Sequence, residues 1–136
     1  MPGKADPVKL LTITIQGCSV FTEEYEVRFE DNTAELSIYE GRWKFDDDAS
    51  REDFLSMRRS GGEEYAQALR ELLRKYHVVR WDGFEGYNIY VLDGEHFRMT
   101  GETVSGKKLY ATGSNSFPKG FREFIEKLRS LAENKE

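Results

Sequence analysis

The chain has 136 residues, of which 38% are hydrophobic, 13% are aromatic and 33% are charged, and its formal net charge is −5. A chain of this length folds as one domain and buries enough surface to need no disulfide or metal ion. The acidic balance argues against non-specific binding to nucleic acid, which requires a basic surface. We therefore expect one domain over 1–136, with 1–7 and 133–136 frayed, and no nucleic-acid partner.

The N-terminal residues contain no apolar stretch of the length of a signal peptide or a membrane span, because Lys9 and alternating threonines interrupt it. Cys18 is the one cysteine, so no intramolecular disulfide can form. We expect a cytoplasmic protein with no membrane partner, unless a leader was removed.

Alternating side chains predict β-strands in the first third of the chain. Residues 8–16 are rich in β-branched side chains and alternate, which is typical of a strand. Residues 25–30 alternate apolar and charged side chains, and Asp31-Asn32-Thr33 then turns the chain into a second alternating segment, 34–40. Residues 42–45 follow Gly41 closely and are predicted as a further strand.

One short helix and two long amphipathic helices are predicted next. The short helix lies within 46–62, where Ser50 and Asp53 have the spacing of a capping box. The strongest helical pattern covers 63–77, with a stripe of apolar side chains, acids at its start and bases at its end. The second long helix covers 117–136.

Residues 96–102 and 107–113 are predicted as two strands joined around Val104-Ser105-Gly106. Antiparallel strands with one polar side need a helical layer on their apolar side. The sequence therefore predicts an α+β fold: an antiparallel sheet, formed by an N-terminal meander and a C-terminal hairpin, packed by two longer amphipathic helices and one short helix.

Few residues have the spacing of a catalytic or metal site. His77 and His96 lack the spacing of a zinc site, and the acidic run 46–48 is not followed by the glycine and glutamate of a calcium loop. Neither Cys18 nor Ser114 lies in a sequence pattern typical of a nucleophile. We therefore predict no metal and no cofactor, and we expect binding rather than catalysis.

An aromatic-rich stretch, 80–101, has two interpretations. Asp82-Gly83 and Asp93-Gly94 are turn formers, and residues 84–92 between them are expected to form an irregular loop at the sheet edge. In one interpretation the aromatic side chains are partly buried and stabilise the fold. In the other they form a binding surface, because tyrosine and tryptophan dominate binding hot spots. The candidate binding residues are Trp81, Asp82, Phe84, Tyr87, Tyr90, Arg98 and Asn115.

Three motifs in the C-terminal half occur in a recognisable order. They are WDGF at 81–84, VLDGEHFRM at 91–99 and ATGSNSFPKGF at 111–121. This order resembles a C-terminal pattern in a family of small uncharacterised bacterial proteins with no known activity. The resemblance covers Val78 to Phe124. It implies a shared fold unit and a bacterial origin, and it assigns no catalytic residue.

The motif residues also have a structural interpretation. Asn115 stands where a strand turns into a helix and is expected to cap that helix, and Asp82 is expected to bond backbone amides of the same junction. The leading hypothesis is a small non-catalytic domain that binds another protein. The alternative is a small enzyme or small-ligand protein with a cleft near 81–93 and Asn115, which requires a deep pocket with convergent polar groups.

Overall fold

The computed structural model describes residues 6–17, 21–43, 48–88 and 94–133. Short 3₁₀ turns lie at Arg51–Phe54 and Val78–Trp81. The strands and helices are β1 (Val8–Gln16), β2 (Thr22–Glu30), β3 (Thr33–Gly41), β4 (Leu55–Gly61), α1 (Glu63–Lys75), β5 (Glu85–Tyr87), β6 (His96–Thr103), β7 (Lys108–Ser114) and α2 (Phe121–Glu133).

One sheet joins the N-terminal meander to the C-terminal hairpin, in the order β4-β3-β2-β1-β6-β7-β5. Strands β1 to β4 pair antiparallel in succession, and the β6–β7 hairpin adds antiparallel to the other side of β1. Because β1 has partners on both sides, its Leu11 and Ile13 are among the most buried residues. The predicted α+β class, the meander, the hairpin and the two longer helices are confirmed.

The predicted short helix within 46–62 is wrong. Asp53 accepts a hydrogen bond from the Ser50 backbone N–H at 3.1 Å, but this contact starts a single 3₁₀ turn. Strand β4 follows at once and pairs with β3, because pairing satisfies its backbone and packs Met57 against the core. The predicted strand over 42–45 is also wrong at Trp43, which lies in a helical turn, and 44–45 lie outside the described residues.

The expected loop over 84–92 contains a short strand instead. Strand β5 pairs parallel with β7, so the sheet is not wholly antiparallel. The pairing is extended on both sides, because the N–H of Thr112 donates to the Phe84 carbonyl at 3.0 Å and that of Asn88 donates to the Ser114 carbonyl at 3.1 Å. Backbone groups of β7 that would be exposed at the edge of the sheet are thereby hydrogen-bonded. Residues 89–92 of this prediction lie outside the described residues.

Both helices pack on one face of the sheet, through the predicted apolar stripes. Leu73, Phe124 and Leu128 are buried, whereas Leu72 packs at the edge of the core and is only partly buried. Helix α1 ends before His77, whose φ of 54° cannot continue a right-handed helix. Among the described residues, no helix is long and apolar enough to span a membrane. Within the described part of the chain, no α-helix covers the other side of the sheet, which we call the open face.

Candidate functional site

Trp81 and Phe84 of the WDGF motif belong to the core. Trp81 is 6% exposed, and its ring centroid lies 5.6 Å from that of Phe121 and 5.5 Å from that of Phe124. Phe84 packs 6.0 Å from Phe97. These contacts join the 3₁₀ turn after α1 to β6 and α2. The two side chains therefore stabilise the fold, as the first interpretation of this stretch predicts.

Asp82 also has a structural partner. The backbone N–H of Tyr110 donates to its Oδ1 at 2.8 Å, and the N–H of Gly83 donates to the Tyr110 carbonyl at 2.8 Å. Asp82 thus accepts from a backbone amide, as expected, but the amide lies within β7 and not at the junction of strand and helix. These contacts continue the pairing of β7 to residues that precede the start of β5.

Asn115 does not cap α2, so that prediction is wrong. The helix begins at Phe121, and the N–H of Phe124 donates to the carbonyl of Gly120. Asn115 instead bonds Glu95 twice: its Oδ1 accepts from the Glu95 N–H at 3.0 Å, and its own N–H donates to the Glu95 carbonyl at 2.8 Å. Its φ of 57° is left-handed, a conformation that asparagine tolerates better than most residues.

We expect Asn115→Ala to lower the free energy of unfolding by about 2 kcal/mol, through the lost hydrogen bond and an alanine held at positive φ. Asn115→Gly loses only the hydrogen bond, so its loss should be about 1 kcal/mol. Asp82→Ala should also lose about 1 kcal/mol. Urea unfolding at unchanged slope measures all three. Variants as stable as the parent would show that these side chains do not support the fold.

Arg98 lies on the open face. Its neighbours Phe97 and Met99 are buried under the helices, and side chains alternate along a strand. The register places Arg98 beside Thr112 of β7 and Tyr87 of β5 beside Ser114. We call the following open-face residues of β5, β6 and β7 the tyrosine face: His96, Arg98, Thr100, Tyr110, Thr112 and Tyr87.

Two tyrosines of this face are strongly exposed, Tyr87 at 73% and Tyr110 at 53%. The interpretation in which the aromatic side chains of this stretch are partly buried is therefore wrong for Tyr87. Gly86 takes the inward position of β5, where a Cβ would lie 2.7 Å from Cε1 of Phe84, so Tyr87 points outward. Tyr110 was not among the candidates, although Leu109 and Ala111 beside it are buried. Tyr90 lies outside the described residues.

Within the described ranges, the Arg98 side chain forms no hydrogen bond or ion pair. Most other charged side chains of the open face do form ion pairs. Arg28 pairs with Glu26 at 2.8 Å and Lys108 with Glu102 at 3.0 Å. On the same face, His96 Nδ1 and Ser114 Oγ form a hydrogen bond at 2.9 Å. The five N–H groups of the Arg98 guanidinium are thus available to an acceptor from outside the chain.

No protein-family model, curated protein or solved structure matches this chain.

The other half of the open face holds an ionic cluster that the sequence did not reveal. Glu24 and Glu26 are 8% and 6% exposed, and Arg51 bonds them at 2.7 and 3.0 Å. The Arg51 guanidinium also lies 4.2 Å from the centroid of the Tyr39 ring. Burial alone would lower the pKa of Arg51, but the hydrogen bond to Glu24 and the charge of Glu26 outweigh it and raise that pKa. Because these charges are paired with one another, the cluster stabilises the fold rather than offering a reactive group.

Metal-binding groups do not converge in the described part of the chain. No set of three or more histidine, cysteine, aspartate or glutamate side chains lies together there in a way that could hold an ion.

Proposed function

We propose that this protein is a small, non-catalytic domain that binds another protein through the tyrosine face. The observation that carries the proposal is the pair of exposed tyrosines on the same open face as Arg98, whose side chain makes no hydrogen bond or ion pair with the described residues. Tyrosine and arginine are enriched in binding hot spots, because each combines a large contact area with hydrogen bonding. We also propose that the protein is bacterial and is located in the cytoplasm.

The chemistry of the tyrosine face favours a partner that places a carboxylate against Arg98. Arg98 can donate two parallel hydrogen bonds to a carboxylate, an arrangement that combines charge neutralisation with geometric specificity. Thr100 and Thr112 flank it on β6 and β7, and their hydroxyls can donate or accept. Tyr110 and Tyr87 add apolar surface beside this polar centre. An open sheet face of this kind suits a protein surface better than a small molecule, which requires a concave site.

The alternative of a small-ligand cleft near 81–93 and Asn115 has less support. Trp81 is buried among aromatic rings, while the side chains of Asp82 and Asn115 accept hydrogen bonds from the backbone. These three groups do not converge on a common ligand position.

A comparative pull-down tests the proposal. The bait proteins are the parent, Arg98→Glu/Tyr110→Ser, and a control that makes the same kinds of change outside the face, Lys119→Glu/Val104→Ser. From a lysate of the source organism, we expect the parent and the control to capture the same protein, and the face variant to capture about tenfold less. All three baits should have the same stability within about 0.5 kcal/mol, since the substituted side chains are exposed. Equal capture by the face variant would refute the proposal.

A further inference from the structure

A cleft of different character lies where α1 ends and the following 3₁₀ turn passes the start of β1. Its volume is about 460 Å³, within the range of about 300–1,000 Å³ that small-molecule sites occupy. None of its lining residues belongs to the tyrosine face. Its apolar lining consists of Pro7, Val8, Leu73 and Val79.

Val79 gives the cleft an exposed apolar surface. The turn Val78–Trp81 buries Val78 and Trp81 in the core, which leaves Val79 between them 41% exposed. Leu73 and Val8 lie deeper, at 7% and 2% exposure. An apolar group in this cleft would remove the surface of Val79 from water, which is favourable.

The remaining lining residues are all basic, on a chain whose net charge is −5. They are Arg70, Arg74, His77 and Arg80. The described residues that line the cleft include no acid. Among the described residues, Arg74 has one distant ion pair, at 3.9 Å to Glu71, and its side chain is 76% exposed. The local field therefore favours an anion in spite of the overall acidity.

Arg70 is the most constrained of these bases. Its Nη1 donates to the Val8 carbonyl at 3.0 Å, and its guanidinium lies 3.8 Å from the centroid of the Phe29 ring. Neither partner is a carboxylate, and burial lowers the pKa of Arg70. A guanidinium held in this way is preorganised, so an anion that reaches it loses little affinity to the ordering of that side chain.

We infer that this cleft binds a small amphiphilic carboxylate. The apolar body lies against Val79 and Leu73, and the carboxylate lies among the guanidinium groups of Arg70, Arg74 and Arg80. The inference is independent of the tyrosine face and of any protein partner, because no residue is shared between the two.

Isothermal titration with decanoate, decanol and acetate tests the inference on the full chain. Decanoate has both the apolar body and the carboxylate, whereas decanol and acetate each have one. We expect one equivalent of decanoate to bind, about tenfold more tightly than either comparison compound, and more weakly as salt is raised. The variant Arg74→Gln/Arg80→Gln should bind decanoate about tenfold more weakly. Lys75→Gln, on the same helix but outside the cleft, should match the parent.

Two results would overturn the inference. The first is no decanoate binding by the parent at millimolar concentration; if the parent then binds vesicles of anionic phospholipid, the cleft is assigned to a membrane surface. The second is equal decanoate affinity in the parent and the double variant. Val79→Ser provides an independent readout, because it should weaken decanoate binding while leaving the response to salt unchanged.

Discussion

Trp81→Ala is expected to lower the free energy of unfolding by about 3–5 kcal/mol, the largest loss among the single substitutions considered. The indole is 6% exposed and packs against Phe121 and Phe124 of α2. Its removal leaves a cavity where the turn after α1 meets α2. Both rings belong to α2, and Phe121 is also held by Phe97 of β6 at 4.7 Å, so the rings cannot both move in to fill the cavity.

Val79→Ala is the matched control for this substitution. Val79 lies in the same 3₁₀ turn but is 41% exposed, so its truncation should cost no more than about 0.5 kcal/mol. Urea unfolding of both variants measures the difference. A loss below about 1 kcal/mol for Trp81→Ala would place the WDGF motif outside the core and return it to the list of binding candidates.

Arg51→Met is expected to cost about 2–3 kcal/mol. The substitution leaves Glu24, 8% exposed, with the Thr14 hydroxyl as its remaining side-chain contact among the described residues, at 3.1 Å. Glu26 keeps its ion pair with Arg28 at 2.8 Å. Removing one partner of a fully buried pair costs about 3–5 kcal/mol, and the expected loss is smaller because Arg51 is partly exposed.

A rescue experiment separates lost charge compensation from lost packing. Glu24→Gln removes the uncompensated charge, so Arg51→Met/Glu24→Gln should be at least about 1 kcal/mol more stable than Arg51→Met alone. Unfolding free energies of the parent, both single variants and the double variant complete the cycle. If Glu24→Gln further destabilises Arg51→Met, the loss comes from packing and the ionic explanation is wrong.

Local alternation and amphipathic stripes were sufficient to predict β1 to β3, β6, β7 and both helices. Strand β4 was missed because Phe54, Leu55 and Met57 fit a helical stripe and follow a genuine capping box. Strand β4 lies at the edge of the sheet and packs Met57 against the core, so its sequence shows little alternation of apolar and polar side chains. Strand β5 was missed because it has three residues and pairs in parallel with a strand more than twenty positions away. Such pairing leaves no local pattern.

Prediction of the site failed where it depended on the arrangement of elements. The outward direction of Tyr110 follows from alternation in β7. The sheet order does not, and neither does the fact that no helix of the described residues covers that face. The role of Asn115 depended on where α2 begins, and the chain takes several more residues to reach Phe121. In the ionic cluster, Arg51 bonds Glu24 and Glu26. Arg51 and Glu24 are 27 positions apart in the sequence, a spacing that no motif describes.

One titration decides whether the tyrosine face binds the partner while Asn115 maintains the fold. The Kd of the captured protein is measured for the parent, Tyr110→Ala and Asn115→Gly. Tyr110→Ala should raise Kd by about 30-fold with unchanged stability, since a hot-spot side chain contributes about 2 kcal/mol. Asn115→Gly should unfold at lower urea concentration and keep the parent Kd within about twofold. An unchanged Kd for Tyr110→Ala, or an equal rise for Asn115→Gly, would contradict this assignment of binding and structural roles.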